Sequence, residues 1–156
     1  MNSRLLACVV SRRVAGIAVF LGGHLEYTKA RQLSSDTRTA ERAISALVHH
    51  IADHFSPRIL VLNTRSESPR NLALSEMAKG AARQRGMTIW EVESSALLLS
   101  YGEPALTSQS ELRSIVGSLW PILNDPSTHD SVLDSAALGF YGYCEQVLES
   151  ARTASL

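Results

Sequence analysis

Apolar residues run unbroken in short stretches early in the chain and recur at helical spacing later. Leu5-Leu6-Ala7-Cys8-Val9-Val10 is one such stretch, the pattern of a strand covered on both faces. Ser11-Arg12-Arg13 reads as a tight polar turn, and Val14 to Phe20 as a second apolar strand. Gly22-Gly23 signals another turn before a third strand over His24 to Leu33. Three strands joined by short turns form an antiparallel meander.

The period then changes. Ser34 to Asp36 are helix-start residues. Ile44, Leu47, Val48, Ile51 and Phe55 fall on one face of an amphipathic helix, which Ser56-Pro57 ends. His49, His50 and His54 fall on or beside its other face; they suit a metal cluster or solvated surface, and read as the latter. Arg58 to Asn63 is a fourth strand. A helix between strands implies a crossover, so this strand pairs parallel with the first. Thr64 to Pro69 is a polar loop. Asn71 to Arg85 is a helix rich in small residues, Gly86 stops it, and Met87 to Val92 is a fifth strand.

Helices follow over Glu93 to Tyr101 and Ser108 to Leu123, the second with Leu112, Ile115, Val116 and Leu119 as its apolar stripe. The last helix starts at His129 or Asp130 and buries Leu133, Ala137, Phe140, Tyr141, Cys144 and Leu148. The tail from Ala151 frays. The pattern predicts an α/β fold, a five-stranded mixed sheet with helices on both faces, and right-handed crossovers suit the order 3-2-1-4-5. One domain spans residues 1–156, with an ordered core over about 4–150.

Composition narrows the chemistry. The 15 basic residues balance the 15 acidic ones, which speaks against a strongly basic nucleic-acid binder but leaves local patches open. Cys8 and Cys144 are the only cysteines, both among apolar neighbours, and read as buried free thiols. No apolar run is long enough to span a membrane, and no signal-peptide pattern opens the sequence, so the expected location is cytoplasmic. The glycines match neither the dinucleotide fingerprint nor the P-loop. No Gly-x-Ser-x-Gly elbow and no Cys-x-x-Cys pair occurs.

Cys8-Val9-Val10-Ser11-Arg12-Arg13-Val14-Ala15-Gly16-Ile17-Ala18-Val19 resembles the opening of the RuvC-type Holliday-junction resolvases, in its rhythm, in Arg13-Val14 and in Gly16. The stretch from Glu67-Ser68-Pro69-Arg70 to Trp90-Glu91-Val92-Glu93 is similar to the YqgF branch of the same ribonuclease H-like superfamily. The resemblance implies that fold, with its strand order 3-2-1-4-5, homodimers, and two Mg²⁺ held by converging carboxylates. Two hard dications need several oxygen anions between them.

Carried over residue by residue, the resemblance departs at the acids. The strand-one Asp of the family falls on Val9, and the strand-four Glu falls on Asn63. The two last-helix Asp residues fall on Ser131 and Asp134, so only Asp134 keeps its charge. No Asp or Glu precedes Glu26, so no register slip restores the first acid.

Two readings follow. The first is a catalytically inactive pseudo-nuclease that serves as a nucleic-acid-binding or protein-interaction module and needs no cofactor. The second is a metal-dependent, structure-specific endonuclease with a rearranged acid set. Its Mg²⁺ or Mn²⁺ would rest on Asp134 with Asp130, Glu91 or Glu93. Asp130 and Asp134 are four apart on one helix face, which suits a shifted ligand pair, but the favoured reading is that Asp130 caps the helix and Asp134 lies toward its positive end. Glu91 and Glu93 alternate along the fifth strand toward one side, as ligands or as solvated strand-end acids. Arg12, Arg13, Arg65 and Arg70 lie in loops near this edge and suit phosphate oxygens of DNA or RNA, or serve as solvated surface.

Overall fold

The computed structural model describes residues 3–63, 68–102 and 104–154. Three strands form the expected meander: β1 (Arg4–Val10), β2 (Val14–Leu21) and β3 (His24–Gln32). Helix α1 (Thr37–Phe55) crosses over to β4 (Ile59–Asn63), and α2 (Pro69–Gln84) leads to β5 (Thr88–Val92). Then come α3 (Ser94–Ser100), α4 (Gln109–Leu119), a 3-10 turn (Pro121–Leu123) and α5 (Asp130–Ala154). The sheet order is β3-β2-β1-β4-β5, with β1 antiparallel to β2 and parallel to β4.

The alternation of β1 sorts the core into two layers. Leu6 and Cys8 face α1 and α2, where Ile44, Val48, Ile51, Leu74 and Ala78 cover them. Leu5, Ala7 and Val9 face the other side, toward Val116, Ala136 and Leu138 of α4 and α5. Both faces are therefore covered, and β1 is buried from Leu5 to Val9. Burial pushes the Cys8 thiol up to about 12.

Helix ends follow local chemistry. Asp36 caps α1, accepting hydrogen bonds from the Thr39 amide at 2.9 Å and the Thr39 hydroxyl at 2.6 Å. At its other end Ser56 takes a left-handed conformation (φ 48°) before Pro57. Ser68 caps α2, with Pro69 inside the first turn.

Three expectations need correction. The helix expected to Leu123 ends at Leu119, because Pro121 has no amide hydrogen to continue the ladder, and the chain closes in the 3-10 turn. The last helix runs on past Ala151, where the tail was expected to begin, and α5 ends at Ala154. Finally, Cys144 and Leu148 are exposed. The face of α5 against the sheet is a stripe of smaller residues. A Cβ on Gly139 would come within 2.5 Å of the Phe20 ring, and one on Gly142 within 2.9 Å of Val61. Phe140 and Tyr141 are only half-buried. Among the described residues, no helix is long and apolar enough to cross a membrane.

Candidate functional site

The carboxyl ends of β1 and β4 and the start of α5 meet on one face of the sheet. Val9 points to this face and is 1% exposed. Its partner on β2 is Gly16, and a side chain at Gly16 would overlap the Ser131 carbonyl. Asn63 ends β4, two residues beyond Val61, so it projects to the same face. The chain thus brings positions 9, 63 and 131 to one edge of the sheet, with position 134 one turn further along α5.

Each polar member has a partner within the protein. Ser94 Oγ donates to Asn63 Oδ1 at 3.1 Å. The Ser131 amide donates to His129 Nδ1 at 3.0 Å, and Ser131 Oγ lies 2.9 Å from the same nitrogen. An amide can only donate, so Nδ1 is an acceptor and the ring proton sits on Nε2. His129 therefore takes the capping role that the sequence offered to Asp130.

Asp134 is 3% exposed, and a guanidinium meets it. Arg113 of α4 donates from Nε to Oδ1 at 2.9 Å and from Nη2 to Oδ2 at 3.0 Å. This is the two-bond fork that suits a planar carboxylate. Arg113 Nη1 also lies 3.4 Å from Asp130 Oδ2. The hydrogen bond to Asp134, followed by the two acidic charges, raises the Arg113 pKa above the usual arginine value. One cation thus lies between the two acids at the start of α5. No signal in a single sequence links Arg113 to Asp134, because they sit on different helices 21 residues apart.

The remaining candidate acids lie elsewhere. The sequence placed Glu91 and Glu93 on one side of the fifth strand, but β5 ends at Val92. Glu91 points to the α2 face and pairs with Lys79 at 2.6 Å. Glu93 is the exposed residue that starts α3. Among the described residues, no three His, Cys, Asp or Glu side chains form a group that could hold a metal ion. The donor set does not fit a pair of Mg²⁺ ions. It offers a valine, an amide and a hydroxyl that are already hydrogen-bonded, and one carboxylate held by arginine.

The loop arginines divide as well. Arg12 and Arg13 are exposed on the β1–β2 turn. Arg70 is half-buried, and its guanidinium is turned inward. It donates from Nε to the Arg12 carbonyl at 3.1 Å and from Nη1 to the Ser35 carbonyl at 3.1 Å, and Nη2 donates to the Ser34 carbonyl. Arg70 is a staple between the first turn and the approach to α1, with three of its nitrogens on backbone carbonyls. Arg65 lies outside the described residues.

The architecture is that of the ribonuclease H-like fold as RuvC shows it. The structure of Thermus thermophilus RuvC in complex with a Holliday-junction substrate matches with a TM-score of 0.70 at 14% identity, covering 94% of this chain and 96% of that one. The yeast mitochondrial Holliday junction resolvase matches with a TM-score of 0.64 at 12% identity, over 89% of this chain and 77% of its own. The fowlpox virus Holliday junction resolvase gives 0.62 at 12% identity, over 91% and 99%. No protein-family model and no curated protein sequence matches the chain.

Proposed function

We propose that this protein is a resolvase-fold domain without metal-dependent cleavage, and that it acts as a nucleic-acid-binding module. The observation that carries this reading is the Arg113 fork on Asp134, the one acid retained at the four positions carried over from the resolvases. A guanidinium already supplies the positive charge that a dication would bring there. The valine at position 9 adds to the argument, because it lines the same face with an apolar side chain. A rearranged acid set loses support from Glu91, which faces away with Lys79.

Nucleic-acid binding rests on two supports. RuvC from T. thermophilus and the fowlpox virus resolvase have each been solved with Holliday-junction DNA. In this chain Arg12 and Arg13 project from the turn beside the corresponding edge, exposed to solvent.

The test combines cleavage with binding. Incubated with four-way junctions and Mg²⁺ or Mn²⁺, the protein leaves them intact. Cutting that disappears in Asp134→Asn would overturn the reading. In low salt the protein binds junction, duplex or single-stranded DNA, binding falls as salt rises, and Arg12→Ala with Arg13→Ala weakens it. Absence of binding in low salt would reject the nucleic-acid role and leave a protein-interaction module.

A further inference from the structure

The last two turns of α1 carry a second cluster of chemistry-bearing side chains, on the far side of that helix from its buried stripe. His50 and His54 are both exposed and stand four residues apart. Their ring centroids are 4.3 Å apart, with the planes tilted by 48°. His54 Nδ1 lies 2.9 Å from the His50 carbonyl oxygen. A carbonyl can only accept, so Nδ1 carries the proton and the Nε2 lone pair of His54 is left for another partner. A metal-binding histidine is commonly held this way, with its second nitrogen donating to a backbone carbonyl that fixes tautomer and ring orientation.

The surroundings favour a cation. These residues lie at the carboxyl end of a 19-residue helix, where the helix dipole is negative. The nearby acid, Asp53, is engaged in an ion pair with Arg85. The donors offered are therefore imidazoles alone. Imidazole suits Zn²⁺, Ni²⁺ and Cu²⁺ and does not suit Mg²⁺ or Ca²⁺.

We infer that His50 and His54 form a two-histidine chelate for a borderline divalent transition-metal ion, with water filling its other positions. Two imidazoles on successive turns of a helix are a known geometry for such ions. This site is independent of the acids of α5 and selects a different class of metal.

The test is calorimetric titration of the untagged full chain with Zn²⁺, Ni²⁺ and Mg²⁺. One saturable site is expected with Zn²⁺ and with Ni²⁺, and none with Mg²⁺. Both His54→Ala and His50→Gln should weaken binding by at least ~10-fold, the low end of the cost of losing even an outer-shell partner. The inference is overturned if Zn²⁺ and Ni²⁺ give no saturable heat, or if the two histidine variants titrate like the parent protein.

Discussion

Gly16 of β2 lies directly against the Ser131 carbonyl of α5, with no room for a side chain between them. Gly16 is also the cross-strand partner of Val9. A single missing Cβ lets the start of α5 settle on the sheet where positions 9 and 131 meet. Gly16→Ala is expected to lift the first turn of α5 and destabilise the fold by ~1–3 kcal/mol, the range for overpacking. A lowered urea midpoint with an unchanged slope would show it. An unchanged midpoint would mean that the helix start yields freely.

Arg113→Met removes the fork and leaves the Asp134 carboxylate buried without its cation. Breaking a buried pair from one side costs ~3–5 kcal/mol, and the 29% exposure of Arg113 argues for the lower end. Arg113→Met combined with Asp134→Leu should recover most of that loss, because no charge is then stranded. Denaturant unfolding of the two single variants and the double one gives the coupling. A single-variant loss under ~1 kcal/mol would put the pair among ordinary surface bridges.

Arg70 joins segments far apart in sequence through three backbone carbonyls. Arg70→Lys keeps the charge but cannot reach three carbonyls in one plane. Hydrogen exchange of the amides around Ser11–Arg13 and Ser34–Thr37 should speed up in this variant nearly as much as in Arg70→Ala. Full protection in the lysine variant would contradict the staple.

Asp36 sets an acid-side dependence. Its pKa is lowered chiefly by the Thr39 hydroxyl and then by the Thr39 amide. A group whose pKa is lower folded than unfolded stabilises the fold above its unfolded pKa. That contribution is lost as pH falls below about 4 and through the folded value. The melting temperature should therefore fall on acidification, and Asp36→Asn should flatten the slope below about pH 5. Amide exchange in the first turn of α1 would localise the effect. An identical slope in Asp36→Asn would assign the acid limb to other carboxylates.

The strands were legible because burial on both faces leaves an unmistakable mark. Leu5 to Val9 and Leu60 to Leu62 have no polar position, and both lie in the middle of the sheet. The meander and the crossovers pointed to the order of the strands, and the family resemblance completed it. The site was legible only in part. The family resemblance pointed to positions 9, 63, 131 and 134, which the fold gathers at one edge of the sheet, yet nothing local says that Arg113 closes on Asp134 or that Lys79 draws Glu91 to the opposite face. Those partners come from other elements, and tertiary packing alone selects them. The capping error at α5 has the same root, since a histidine ring nitrogen accepted the amide where an aspartate was expected. Gly139 and Gly142 misled the burial stripe because flush packing looks like missing hydrophobicity in a sequence.

The apolar setting of Val9 limits what can be placed at this edge of the sheet. An aspartate introduced at that position would be charged, enclosed and far from water, with neighbours selected for oil. Freeing Asp134 would first require loss of the arginine that now neutralises it. Each of these two substitutions alone weakens the folded state. A dication centre at this edge would therefore have to be installed in one step, with its acids and their surroundings changed together.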